Sequence, residues 1–262
     1  MIGFGTDPGD AMSEERSASL LTRRQITSAL IAMPLIACPI CRAAYAKSPW
    51  GNNFLCAAAD KGAPEEGDIL DSSGDPNLDR ILAAEMIAQS KFFGLRPAFL
   101  LYNGQNQNAL ATPNTVLDRT QGTILYNLPF LKGQLLSTEW GGTVVSGVIA
   151  HEFAHIFQFH SVYMSRLAEL HQTVKFQELH ADFLSAFYMG RKHVSSPLKL
   201  NDYFDQFYNL GDYEFDRKDH HGTKAERYFA TKAGYNLALG NPSKGIQFAA
   251  AQGETFLKEY FR

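Results

Sequence analysis

Two histidines and a glutamate stand inside an apolar stretch of the chain, Val144 to His160, which reads VVSGVIAHEFAHIFQFH. His151 and His155 are four residues apart, so on a helix they lie on one face with Cβ atoms about 5–6 Å apart. Two imidazole nitrogens can then reach one metal ion at the roughly 2.0–2.1 Å that zinc prefers. Glu152, one step round the helix, can instead reach a water molecule on the open side of the ion. The pattern predicts a zinc-activated water with Glu152 as its general base.

A catalytic zinc site needs a third protein ligand, which the stretch ELHAD supplies. Glu178 and Asp182 are four residues apart, on one face of a second predicted helix from about Val174 to Arg191. If the two helices run antiparallel through a short connection, Glu178 comes within about one turn of His155. Glu178 then completes a His-His-Glu site, and Asp182 can accept the other ring N–H of a ligand histidine.

Other third ligands fit the spacing less well. The metzincin pattern requires a glycine and a histidine where the chain has Gln158 and Ser161, which excludes that class. His160 lies about 100° round the helix from the face of His151 and is a poor ligand. Two other interpretations of the histidine pair stay open. One is a structural zinc site, which usually closes with a cysteine, and the other is a core pair whose ion-pair partner is Glu178.

The motif HExxH followed by ExxxD resembles that of the gluzincin zinc metallopeptidases. Three blocks, AHEFAHIFQ, ELHADFLSAFYMG and HGTKAERYFATKAGY, are most similar to the bacterial neutral zinc metallopeptidase family, and the likeness covers roughly residues 122–235. It implies a zincin-like fold. It also implies that His151, His155 and Glu178 are zinc ligands. By the same resemblance Glu152 is the base and Asp182 supports a ligand. By the same resemblance GTILYN, residues 122–127, is an edge strand on which an extended peptide can pair.

Two further histidines, His220 and His221, precede a predicted helix whose start has the capping box Thr223 and Glu226. A histidine beside a helix start can stabilise a developing oxyanion. His221 is the candidate for this catalytic role. The alternative, a loop histidine that takes no part in the chemistry, stays open.

Residues 1–46 are predicted to be an export signal. Paired Arg23 and Arg24 precede an uncharged apolar run from Ile26 to Ile40, and Ala44-Tyr45-Ala46 follows it as the cleavage site. The run has about fifteen residues, fewer than the roughly twenty of a membrane span. The arginine pair resembles the twin-arginine signal of bacteria, while a general secretory route and a lipoprotein cleavage at Cys38 stay open as alternatives. The mature protein is expected in the periplasm or outside the cell, without a membrane span.

The composition of the chain is that of a globular protein, with 45% hydrophobic and 19% charged residues. The net charge of -3 argues against a basic surface that would hold nucleic acid. Together with the predicted zinc site, this favours a peptide or protein substrate as the partner.

One domain is predicted for residues 75–262, after an irregular lead-in at residues 47–74 that is rich in Gly, Ala, Asp and Pro. A helix is predicted from Asp75-Pro76 to Gly94. Short strands PAFLLYN and GTILYN follow, and further helices complete the chain. The predicted fold class is α+β, mostly helical with a small mixed sheet.

The predicted function is zinc-dependent hydrolysis of peptide bonds. Two alternatives from other classes stay open. The first is a non-catalytic zincin that acts as a chaperone or assembly factor for envelope proteins. The second is a zinc amidase that acts on a cell-wall substrate.

Overall fold

The computed structural model describes residues 55–56, 68–105, 107–193, 200–209 and 220–261. The predicted export signal, with Arg23, Arg24 and Cys38, lies outside the described residues. Within these ranges the chain is mostly helical with a small mixed sheet, so the α+β prediction is confirmed. The helices are α1 Pro76–Phe93, α2 Leu128–Ser137, α3 Gly141–Phe159, α4 Tyr163–Ala168, α5 Lys175–Lys192, α6 Asn201–Asn209, α7 Lys224–Gly240 and α8 Ile246–Tyr260. The strands are β1 Leu55–Cys56, β2 Ile69–Leu70, β3 Ala98–Tyr102, β4 Ala109–Thr112 and β5 Thr123–Asn127.

Helix α1 begins and ends where the sequence predicts. The Asp75 side chain accepts hydrogen bonds from the backbone N–H groups of Asn77 and Leu78, which have no partner within the helix. At the other end Gly94 adopts a left-handed φ of 70° and donates its N–H to the carbonyl of Ser90. The helix so delimited packs against α3, the helix with the two histidines.

None of the described helices combines the length and the apolar composition needed to cross a membrane.

The sheet has the strand order β1-β4-β5-β3-β2, in which β3 and β5 are parallel and the other pairs are antiparallel. Strand β5 therefore lies in the centre, and the prediction that GTILYN is an edge strand is wrong. The physical reason is burial: all five residues of β5 are buried. Because water cannot reach them, their backbone N–H and C=O groups need protein partners on both sides.

The lead-in, predicted to be irregular, supplies both edge strands of this sheet. Leu55 and Cys56 pair with Ala111 and Leu110 of β4, and β2 pairs antiparallel with β3. Each edge strand has two residues, which is too short to produce a recognisable alternation of apolar and polar side chains.

Helix α3 is buried along most of its length. Every residue from Thr143 to Gln158 is buried, because the helix contacts β4 and β5 as well as helices α1, α2, α5 and α6. Polar side chains on such a helix must find their partners inside the protein.

Two glycines allow neighbouring helices to approach closely. A Cβ atom at Gly147 of α3 would lie 2.2 Å from the ring of Tyr203 on α6. A Cβ atom at Gly234 of α7 would lie 2.0 Å from the carbonyl oxygen of Phe183 on α5. Since no side chain fits there, the backbones of α5 and α7 come into direct contact. This contact brings residues of α7 to the functional site that α3 and α5 form.

Candidate metal centre

Helices α3 and α5 bring two imidazole nitrogens and a carboxylate to one point. The Nε2 atoms of His151 and His155 are 2.9 Å apart, and their rings are nearly perpendicular, at 89°. Glu178 lies 3.2 Å from His151 Nε2 through Oε2 and 3.3 Å from His155 Nε2 through Oε1. Tetrahedral ligand atoms bound at about 2.0–2.1 Å are roughly 3.3 Å from one another. The three side chains, all completely buried, can therefore hold a metal ion.

The surroundings of His151 favour the tautomer with its proton on Nδ1. Asp182 Oδ1 lies 2.9 Å from this nitrogen, which is the contact that the sequence predicts for Asp182. Arg227 donates from Nε to Asp182 Oδ2 at 2.8 Å and from Nη2 to Oδ1 at 2.7 Å. Arginine has donors only, so both oxygens of Asp182 accept from it. With this carboxylate on its Nδ1 side, His151 turns Nε2 towards the centre.

The proton of His155 is on Nδ1 as well, and a neutral amide fixes it there. Gln158 donates from Nε2 to the backbone carbonyl of Gln177 at 2.8 Å, which settles which end of the amide carries the hydrogens. Its Oε1 then accepts from His155 Nδ1 at 2.9 Å. The second N–H of Gln158 faces Nδ1 of His180 at 3.2 Å, and His180 donates from Nε2 to the carbonyl of Ala250 at 3.0 Å. Burial lowers the pKa of His180 to about 4, so this histidine is neutral and structural.

The two Nε2 atoms face each other at 2.9 Å, a distance that a shared proton or a cation bound beside them can span. Burial, the largest influence, and His155 both lower the pKa of His151, but the hydrogen bonds to Asp182 and Glu178 outweigh them and leave it above its ordinary value. Burial raises the pKa of Glu178, yet His155, His221 and the two hydrogen bonds hold it well below its usual range. The cluster therefore contains an anionic oxygen and an imidazole of raised pKa, a donor set that binds a proton or a metal ion.

Glu152 is completely buried beside this centre. It stands outside the group of His151, His155 and Glu178, whose ligand atoms lie within 4.8 Å of one another. Its charge adds to the effect of burial in raising the pKa of the Tyr126 phenol on β5. Glu152 is therefore close enough to Tyr126 of β5 for its charge to act on the phenol, and it adjoins the ligand His151 in the sequence.

The two histidines before α7 occupy different environments, although both are buried. His221 Nε2 lies 4.0 Å from Glu178 Oε1, so His221 borders the ligand cluster. His220 instead lies near His171. Burial is the main cause that lowers the pKa of His171, and the charges of Lys175 and His220 lower it further. Of the pair, His221 is the one that can act on a group bound at the centre. Thr223 and Glu226 form the predicted capping box. The box fixes the start of α7 shortly after His221 in the chain.

Sequence reasoning missed two side chains that support the site. Gln158 follows His155 by three residues, and residues at this spacing share a helix face, so its contact could have been inferred. Arg227 gave no comparable indication, because an arginine in the first turns of a helix is usually exposed. The exposed His160, which its spacing makes a poor ligand, stands at the end of α3 and is not part of this buried network.

Comparison of the chain with protein-family models, with curated proteins and with solved structures finds no match in any of the three. The resemblance to the gluzincin family therefore stays a prediction from the motifs.

Proposed function

We propose that this protein is an exported zinc-dependent peptidase with a zincin-like fold. The observation that carries the proposal is the convergence of two imidazole nitrogens and one carboxylate, all completely buried. Two nitrogens and one oxygen suit zinc, and three protein ligands leave the fourth position open, as in catalytic zinc sites. The HExxH and ExxxD motifs and their likeness to the gluzincins supply the reaction class.

Zinc, when bound by His151, His155 and Glu178, would lower the pKa of a water molecule from about 15.7 towards 7 and polarise the carbonyl of a peptide. Glu152 would act as the general base for the attacking water and would then donate a proton to the departing amine. Asp182 and Gln158 keep the two imidazoles in the tautomer that this chemistry requires.

His221 is proposed as a second catalytic residue, one that donates to the developing oxyanion. Its support is the 4.0 Å distance between its Nε2 and the carboxylate of Glu178, which brings the ring to the edge of the ligand cluster. The proposed substrate is a peptide or a protein, and the proposed location is the periplasm or the medium.

The test is a comparison of the wild-type protein with Glu152→Gln. We expect both to retain zinc, measured by plasma emission, because Glu152 is not a ligand. The variant is expected to lose about 10²–10⁴-fold in turnover, the usual contribution of a general base. Proteomic identification of cleavage sites, with and without chelator, provides the readout. Near-wild-type turnover in the variant would refute the assigned base, and zinc binding without any cleavage by the wild type would favour a non-catalytic zincin.

A further inference from the structure

A closed circuit of contacts surrounds the imidazole of His151. On one side of the ring, Nδ1 lies 2.9 Å from Asp182 Oδ1, and on the other side, Nε2 lies 3.2 Å from Glu178 Oε2. The same two oxygens are bridged by one nitrogen of Arg227, since Nη2 is 2.7 Å from Asp182 Oδ1 and 3.6 Å from Glu178 Oε2. Arg227 is therefore the member that closes the circuit.

Burying the guanidinium of Arg227 in this position costs hydration free energy. Its side chain is completely buried, and a buried guanidinium is tolerated only where carboxylates and hydrogen bonds compensate for lost hydration. The two parallel hydrogen bonds to Asp182, at 2.8 and 2.7 Å, are of the bidentate kind that fixes the carboxylate plane as well as its distance. A lysine ammonium has no second nitrogen for such a pair.

Helix α6 contacts two members of this circuit, His151 and Arg227, through an aromatic ring. The ring of Phe207 is 5.5 Å from the ring of His151 and 5.9 Å from the guanidinium carbon of Arg227, measured to ring centroids. The ring of Phe207 thus flanks both the imidazole and the cation. Three helices, α3, α5 and α7, contribute the polar members, so the position of α7 bears directly on the direction of the His151 lone pair.

We infer that Arg227 is a positioning residue of the metal centre, which clamps Asp182 and flanks Glu178 so that His151 presents Nε2 to the ion. This inference rests on the proposed metal centre. It adds a fixed positive charge on α7 to a site whose proposed ligands all come from α3 and α5.

The decisive variant is Arg227→Lys, because it retains a buried cation but cannot form the two-point contact. We expect its zinc affinity to fall by about 10–100-fold, the range for partners that orient a ligand. Cobalt(II) provides a second readout, since its visible absorption bands report the arrangement of the ligands. We expect the cobalt spectrum of Arg227→Lys to differ from that of the wild type.

Tyr188→Phe is the matched control. Tyr188 also belongs to α5, is buried, and donates to a carboxylate, that of Glu85, at 2.9 Å. Its loss removes a buried hydrogen bond away from the metal centre. We expect this variant to lose stability while its zinc affinity and cobalt spectrum stay those of the wild type.

A double variant tests whether Arg227 acts through Asp182. If it does, Arg227→Lys has little further effect once Asp182 has been replaced. The zinc affinity of the double variant Asp182→Asn, Arg227→Lys should then be within about twofold of that of Asp182→Asn alone, which is the usual error of such comparisons. A loss equal to the product of the two single losses would overturn the inference.

The outcomes separate this inference from the proposed function. Zinc affinities are measured by competition with a chromophoric chelator, at a temperature where circular dichroism shows every variant to be folded. A wild-type protein that binds neither zinc nor cobalt would remove the proposed metal centre itself. A wild-type protein that binds both, with Arg227→Lys indistinguishable from it, would overturn the role of Arg227 alone.

Discussion

Replacement of Gln158 by leucine removes the support of His155 and leaves two buried ring nitrogens without a partner. The lost hydrogen bonds are those from His155 Nδ1, to the carbonyl of Gln177 and to Nδ1 of His180. The carbonyl of Gln177 lies inside α5 and keeps its helical hydrogen bond, whereas a buried polar group without a partner costs about 1–3 kcal/mol. Taken at the lower end, because neighbouring losses are not additive, the two nitrogens cost about 2 kcal/mol. At roughly 2–4 °C per kcal/mol for a domain of this size, the Tm is expected to fall by about 4–8 °C.

The same substitution frees the ring of His155, so zinc affinity is expected to fall by about 10–100-fold. Gln158→Glu is the matched variant, because its carboxylate still accepts from His155 Nδ1 but no longer donates to Gln177 or His180. We expect it to lose stability and to keep more zinc affinity than the leucine variant. Thermal unfolding of the metal-free protein and chelator competition measure the two effects separately. A leucine variant with a lowered Tm and wild-type zinc affinity would refute the assigned tautomer of His155.

Three further predictions concern other groups of the site and the start of α7. Glu178→Ala is expected to bind less than stoichiometric zinc, and unchanged metal content by plasma emission would show that another residue is the ligand. His221→Ala is expected to lower kcat by about 10²–10³-fold, the effect of losing one oxyanion donor, with zinc content unchanged; a parallel loss of zinc would make His221 a ligand. Burial raises the pKa of Glu226, but the hydrogen bonds from Lys175 and Thr223 prevail and leave it lowered. The stability that Glu226 contributes is therefore present above the ordinary glutamate pKa of about 4.3 and is lost as the pH falls through its lowered folded-state value. Denaturant unfolding of Glu226→Gln should differ from the wild type at neutral pH and converge with it in acid, and a constant difference would contradict this.

The helices and the ligand cluster could be predicted because their determinants are local. Asp75 and Gly94 mark the ends of α1 through their own hydrogen bonds and backbone conformation. The spacing of four residues between His151 and His155 fixes a shared helix face whatever surrounds it. The same spacing puts Glu178 and Asp182 on one face of a second helix, but their meeting with the histidines also depends on how that helix packs against α3.

Pairing between distant segments could not be predicted in the same way. Strand β5 is fully buried, but its sequence does not specify that β4 and β3 lie on its two sides. The two-residue strands β1 and β2 carry no periodicity of their own. The role of Arg227 was not predicted for a related reason. It depends on how α7 packs on α5, and this packing is decided by contacts with residues far from Arg227 in the sequence.

The glycine at the meeting point of α5 and α7 restricts how this protein can be engineered. Replacing helix glycines with alanine is a common route to thermostability and typically gains about 0.4–1 kcal/mol. Gly133 of α2 has open space around it and is a suitable position for that change. At Gly234 a methyl group would meet the carbonyl of Phe183 at 2.0 Å and push α7 outward, about two turns beyond Arg227. Replacing every helix glycine with alanine to gain stability would thus include Gly234. That substitution would move the Arg227 guanidinium away from its carboxylates although no proposed metal ligand is changed.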